Sequence, residues 1–177
     1  METKTHPFVE YLERLRERED RGALAALRRG MGEPPGAAPA MFPYVVRHLP
    51  ADVKPWEEKT YYLIAALFAY HSEKGGRGNI GSSFAQVRRE AHRTNPHADD
   101  TALERRFTAL LAAHPDDLPF YLRQTVSFLK SKNVPINWHQ LFYDVRAWGR
   151  PDRYVQKQWA EGFWKREKKE AEEAEEA

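Results

Sequence analysis

The sequence predicts an all-α fold of about eight or nine helices, and three observations predict it. Apolar residues recur at spacings of three and four through most of the chain. No run sustains the period-two alternation of a half-buried strand. The clusters of Gly and Pro fall between the periodic segments and read as loops. A chain of 177 residues is long enough to bury a core, as one helical bundle or two small helical subdomains.

Taken in order, Phe8, Tyr11, Leu12 and Leu15 share one helical face, with Glu10, Glu13, Arg14 and Glu17 opposite. The short run 23–29 ends at Gly30, a favourable place for a helix C-cap. Residues 32–39 hold three prolines and two glycines and must be a loop. A helix of about two turns is expected over 41–48, with Pro43 in its first turn. Pro55 opens a longer one over 56–70, whose Leu63, Ile64, Leu67 and Phe68 mark it as buried.

Residues 71–79 form a second loop, flexible and basic, and the most plausible subdomain boundary lies in 71–81. Ser82 or Ser83 can cap a helix carrying Phe84, Val87 and Ala91. Thr101 with Glu104 forms a capping box ahead of Leu103, Phe107, Leu110 and Leu111. Asp116 and Asp117 start the helix of Leu118, Leu122, Val126 and Leu129. Asn137 caps 138–148, Gly149 closes it, and Asp152 caps the last helix, with Tyr154, Val155, Trp159 and Phe163 inward. The organisation expected is a helical part over 1–74, a loop over 75–81, a helical part with a basic surface over 82–165, and an acidic helical tail over 166–177.

Composition removes several classes of function. A hydrophobic fraction of 41% with 31% charged residues is that of a folded globular chain. The absence of cysteine excludes a disulfide framework, a thiolate nucleophile and Cys-based zinc or iron–sulfur sites. The polar start lacks the apolar core of a signal peptide, and the longest apolar stretch, 61–70, falls well short of the ~18 residues of a membrane span. A cytoplasmic protein is expected. The net charge of +2 conceals an uneven distribution: residues 118–166 hold nine Lys and Arg against three acids, and 167–177 hold two lysines against six glutamates. The tail has no large apolar residue and reads as a solvated helical extension, or as an acidic mimic of a nucleic-acid strand.

Catalysis finds little footing. His92, His97, Asp99 and Asp100 are the one conceivable metal-binding cluster, but helix-borne ligands sit three or four apart. Here the two histidines are five apart with Pro96 between them, and the Asp pair suits a helix N-cap better. Gly75-Gly76-Arg77-Gly78 lacks the Gly-Lys-Ser/Thr ending of a phosphate-cradling loop, and there is no Gly-x-Ser-x-Gly elbow. No catalytic residue, metal or cofactor is expected.

The arginines say more. Arg28-Arg29, Arg88-Arg89 and Arg105-Arg106 are helical doublets whose members point about 100° apart, so that one can cover a core edge while the other projects. Each doublet taken alone is solvated surface. Several converging on one face would neutralise phosphates without regard to sequence. Arg146, Arg150, Arg153 and Lys157 advance by four, three and four across the break at Gly149 and should cluster near that turn. Trp138, Trp148 and Trp159 match the buried faces; Trp164, beside the charged tail, is the one expected at the surface.

The stretches 23–29, 42–46, 81–84, 104–111, 118–123 and 137–149 occur in an order that resembles the CasB family, the small subunit of the Cascade surveillance complex of type I-E CRISPR systems. The resemblance covers about residues 8–165. It implies a non-catalytic, all-helical subunit present as two copies beside other Cascade subunits, contacting the crRNA–target DNA duplex backbone and holding the displaced DNA strand. It also implies that the family's basic positions are met by Arg29, Arg105 or Arg106, Arg123, Arg150, Arg153 and a residue of the 54–59 region such as Lys59. The leading expectation is therefore a sequence-independent nucleic-acid-binding subunit of an antiviral complex. A structural bridge whose arginines pair with acidic neighbouring subunits is the alternative, and a metal-dependent nuclease is the third.

Overall fold

The computed structural model describes residues 4–175, with side chains through residue 165. Among these it contains no strand and nine α-helices: α1 (Pro7–Glu17), α2 (Arg21–Arg28), α3 (Phe42–Val45), α4 (Pro55–Tyr70), α5 (Ile80–Thr94), α6 (Thr101–Leu111), α7 (Leu118–Ser131), α8 (Trp138–Ala147) and α9 (Tyr154–Glu175). The chain divides into two compact units. The first comprises residues up to Glu73 together with Trp138–Arg146; the second comprises Lys74–Asn137 and the chain from Ala147 onward.

The first unit is built round α4. Ten consecutive residues, Thr60 to Ala69, are buried, so this helix is enclosed on all sides and needs no polar face. Phe8, Val9, Leu12 and Leu15 of α1, and Ala23 and Leu27 of α2, supply neighbouring layers. His6 caps α1: its Nδ1 accepts the Phe8 N–H at 3.2 Å, while Pro7 takes the first helical position, where a missing N–H is harmless. The His6 N–H in turn donates to Nδ1 of His139 at 2.9 Å. His139 Nε2 lies 3.2 Å from the Glu13 carboxylate, and the Tyr143 hydroxyl donates to the Thr5 carbonyl at 2.9 Å. These bonds tie α8 to the start of α1.

The second unit rests on α5 against α9. A Cβ on Gly81 would stand 1.8 Å from the Trp159 carbonyl oxygen, so only glycine lets the two backbones approach this closely. Phe84, Phe107 and Phe163 are fully buried, with Phe107 centred 4.8 Å from each of the other two rings. Each such ring contributes about 1.5–3 kcal/mol relative to an exposed one. Trp148 packs on Trp159 at 4.9 Å and donates its Nε1–H to the Ala113 carbonyl at 3.0 Å. Trp138, Trp148 and Trp159 are core residues and Trp164 is 37% exposed, as the spacing predicts.

Several local expectations give way to stronger geometry. The 41–48 segment is a four-residue α-turn between two 3-10 turns, Pro39–Met41 and Val46–His48. Gly30 lies inside a further 3-10 turn, Arg29–Gly32, so the chain tightens after α2 and does not stop there. The cap of α5 is Asn79, with Ser82 completing a capping box from the third helical position, because the helix begins three or four residues earlier than a cap at Ser82 or Ser83 implies. Thr101 is the first residue of α6, and its N–H and hydroxyl both donate to Asp99. Within the Gly-rich loop, Gly76 lies so close to the backbone at Ile136 and Asn137 that a Cβ there would clash with it. The acidic tail's side chains lie outside the described residues.

Candidate nucleic-acid interface

In the second unit, α6 carries Arg105 and Arg106, and the turn that leads into α9, bonded to the end of α6, carries Arg150 and Arg153. Arg105 and Arg106 are both exposed on α6. The Arg106 guanidinium sits 4.5 Å over the Phe128 ring, which orients it while leaving its edge to solvent. Ala102, Arg105, Arg106 and Ala109 share one face at spacings of three, one and three. With Tyr121 and Gln124 of α7 they line a shallow groove of about 290 Å³.

At the C-terminal end of α6 the Arg153 guanidinium donates to the Leu111 carbonyl at 2.6 Å, meeting one of the carbonyls a helix end leaves unpaired and favoured there by the helix dipole. Arg153 adopts a left-handed backbone (φ 52°), closing the turn in which its N–H bonds the Arg150 carbonyl. Asp152 organises this turn with both oxygens: one accepts the Tyr154 N–H, capping α9, and the other takes an Arg150 N–H at 3.1 Å. The hydrogen bond that Arg150 donates to Asp152 raises the Arg150 pKa above its ordinary value, and the same bond lowers that of Asp152. Arg150 also lies 5.2 Å over Tyr154. Lys157 is exposed in the first turn of α9, and Arg123 on α7 is half-buried, its pKa lowered by desolvation.

The other expected positions differ in their surroundings. Arg88 is a correction: it is 5% exposed, bonds the Phe163 carbonyl at 2.7 Å and lies 4.2 Å over the Phe163 ring, so it is part of the α5–α9 packing. Arg146 falls in the first unit, where it pairs with Glu57 at 2.5 Å. Also in the first unit, Arg28 donates to the Ala69 carbonyl at 3.1 Å, and Arg29 and Lys59 are exposed. Tyr121 and Gln124 were not anticipated; their spacing of three on α7 is the only signal that could have placed them side by side.

The histidine cluster resolves into local structure. His92 Nε2 lies 3.0 Å from both Asp100 oxygens, while Asp99 is bonded to Thr101. Among the described residues no group of three His, Asp or Glu side chains is arranged to hold a metal ion. None of their helices is long and apolar enough to cross a membrane.

Fold and site together define an all-helical protein of two units, the second of which carries exposed arginines on α6 and on the turn that leads into α9. The chain belongs to the CRISPR-associated protein Cse2 family, whose profile matches residues 23–164. A Cse2 protein of Thermus thermophilus is 34% identical over 159 residues, covering 89% of this chain and 88% of its own length. The solved structure of CasB from M. ruber superposes with a TM-score of 0.75 at 29% identity, covering 95% of this chain and 98% of that one. A chain of a CRISPR RNA-guided surveillance complex shares the fold at 24% identity, with a TM-score of 0.73 and coverage of 94% and 99%.

Proposed function

We propose that this protein is a non-catalytic small subunit of an RNA-guided surveillance complex in the cytoplasm, and that it stabilises the R-loop by holding nucleic-acid backbone without regard to sequence. Family membership supports the setting, as does the fold shared with a chain of a surveillance complex. The observation that carries the reading is the grouping of Arg105, Arg106, Arg150 and Arg153 on α6 and on the turn bonded to its end. Guanidiniums on helices and turns suit phosphate oxygens and carry no base information by themselves. Opening a duplex against a guide RNA is a nearly balanced exchange, so modest contacts to the crRNA–target duplex and the displaced DNA strand tip it toward the open form.

Binding of single-stranded DNA to the isolated chain, measured across a salt series, tests this. Each arginine that neutralises one phosphate contributes about 0.7 to the slope of log K against log salt. Arg106→Ala and Arg150→Ala should each flatten the slope by about that much. Slopes that stay at the wild-type value in both variants would remove the basis of the reading.

A further inference from the structure

The α6–α7 groove has a chemistry that backbone contact alone does not use. Its two arginines sit beside small side chains, Ala102 and Ala109, which open the wall between helical turns. Facing them from α7 are a phenol and a carboxamide, Tyr121 and Gln124, groups that can lie against a flat ring and exchange hydrogen bonds with its edge. No carboxylate lines the groove, so its electrostatic preference is for an anion. A volume of about 290 Å³ lies at the small end of ligand sites and matches one planar head group with its phosphate, not a longer stretch of strand. Arg106, held over Phe128, cannot fold across the opening without giving up that contact.

We propose that this groove receives a single unpaired nucleotide of the bound strand, its phosphate on Arg105 and Arg106 and its base against Tyr121 and Gln124. The proposal rests on the nucleic-acid-holding reading and adds to it one position at which a base, and not only the backbone, is felt. The contact is sequence-tolerant because every base offers a flat face.

The test uses the full chain and two labelled fifteen-residue DNA strands, one of thymidines and one in which alternate bases are replaced by tetrahydrofuran abasic sites. Wild-type protein should bind the intact strand at least about fivefold more tightly. Gln124→Ala, an exposed substitution that leaves the core untouched, and Tyr121→Ala should bring that ratio below about twofold while leaving the salt slope unchanged. Equal binding of the two strands by wild type, with a normal salt slope, would overturn the groove proposal and leave the backbone reading standing. Binding that is weak and insensitive to salt for both strands would overturn both. Displacement of the base-dependent component by a millimolar oligoglutamate peptide, with none by thymidine monophosphate, would assign the groove to an acidic peptide and defeat the proposal.

Discussion

Asp152 is the residue on which the behaviour of the basic turn depends. Its carboxylate occupies the place a phosphate oxygen would take on Arg150, so nucleic acid must compete with it. Asp152→Asn keeps an oxygen to cap Tyr154 but removes the competing charge. Affinity for single-stranded DNA should rise by about two- to fivefold at low salt, less at high salt. Unchanged affinity in a titration would show that Arg150 is not a contact. In the first unit His6 plays a different part. It is 8% exposed, stacked 3.8 Å from Phe142, and its Nδ1 accepts a backbone N–H, a geometry that requires the neutral ring. Burial, aided by Arg146, lowers its pKa from 6.5 to about 4. Stability is therefore fully present above pH 6.5 and declines as the pH falls toward 4, by up to about 1.4 kcal/mol per pH unit. His6→Asn retains a capping side chain and should flatten the fall in melting temperature between pH 6.5 and 4.5, while lowering the melting temperature at pH 7. An equally steep fall in the variant would exclude His6 as the titrating group.

At the scale of elements, the contact of α5 with α9 is the most constrained. Gly81→Ala forces a methyl into the Trp159 carbonyl, and the helices must part or slide; about 1–3 kcal/mol of destabilisation, or more, is expected from chemical denaturation. A midpoint equal to wild type would mean that the close approach does not matter to stability. Helices such as α1 and α7 were legible because their burial pattern is written at short range, in spacings of three and four, and α4 because its apolar run is long enough to be a helix enclosed on all sides. The cap of α5 was less so, since Asn79 and Ser82 are both good capping residues, and the bond from Asn79 to the Gln158 carbonyl joins residues 79 apart in the sequence. The doublets show the same limit. Both members of Arg105-Arg106 project, whereas Arg88 turns inward because Phe163, 75 residues later, offers a ring face and a carbonyl. Nothing near Arg88 in the sequence records that partner. Arg150 and Arg153 could be grouped from the chain alone, but their division of labour, one on its own turn's carboxylate and one on the end of α6, depends on where α6 ends.

For the molecule as a whole, the charge that matters is local. A chain with an overall +2 presents four arginines about one helix and its adjoining turn, while other arginines are drawn into packing or ion pairs. The same side chains could serve either to hold nucleic acid or to join acidic surfaces of neighbouring subunits, and the two roles part at the level of the assembled complex. The most direct measurement is the lifetime of the R-loop formed by a reconstituted surveillance complex carrying either wild-type subunit or an Arg105→Ala, Arg106→Ala, Arg150→Ala triple variant. A holding role predicts normal assembly with an R-loop lifetime shortened at least about tenfold, the loss of a few phosphate contacts. Failure of the variant to assemble, or normal assembly with an unchanged lifetime, would contradict it.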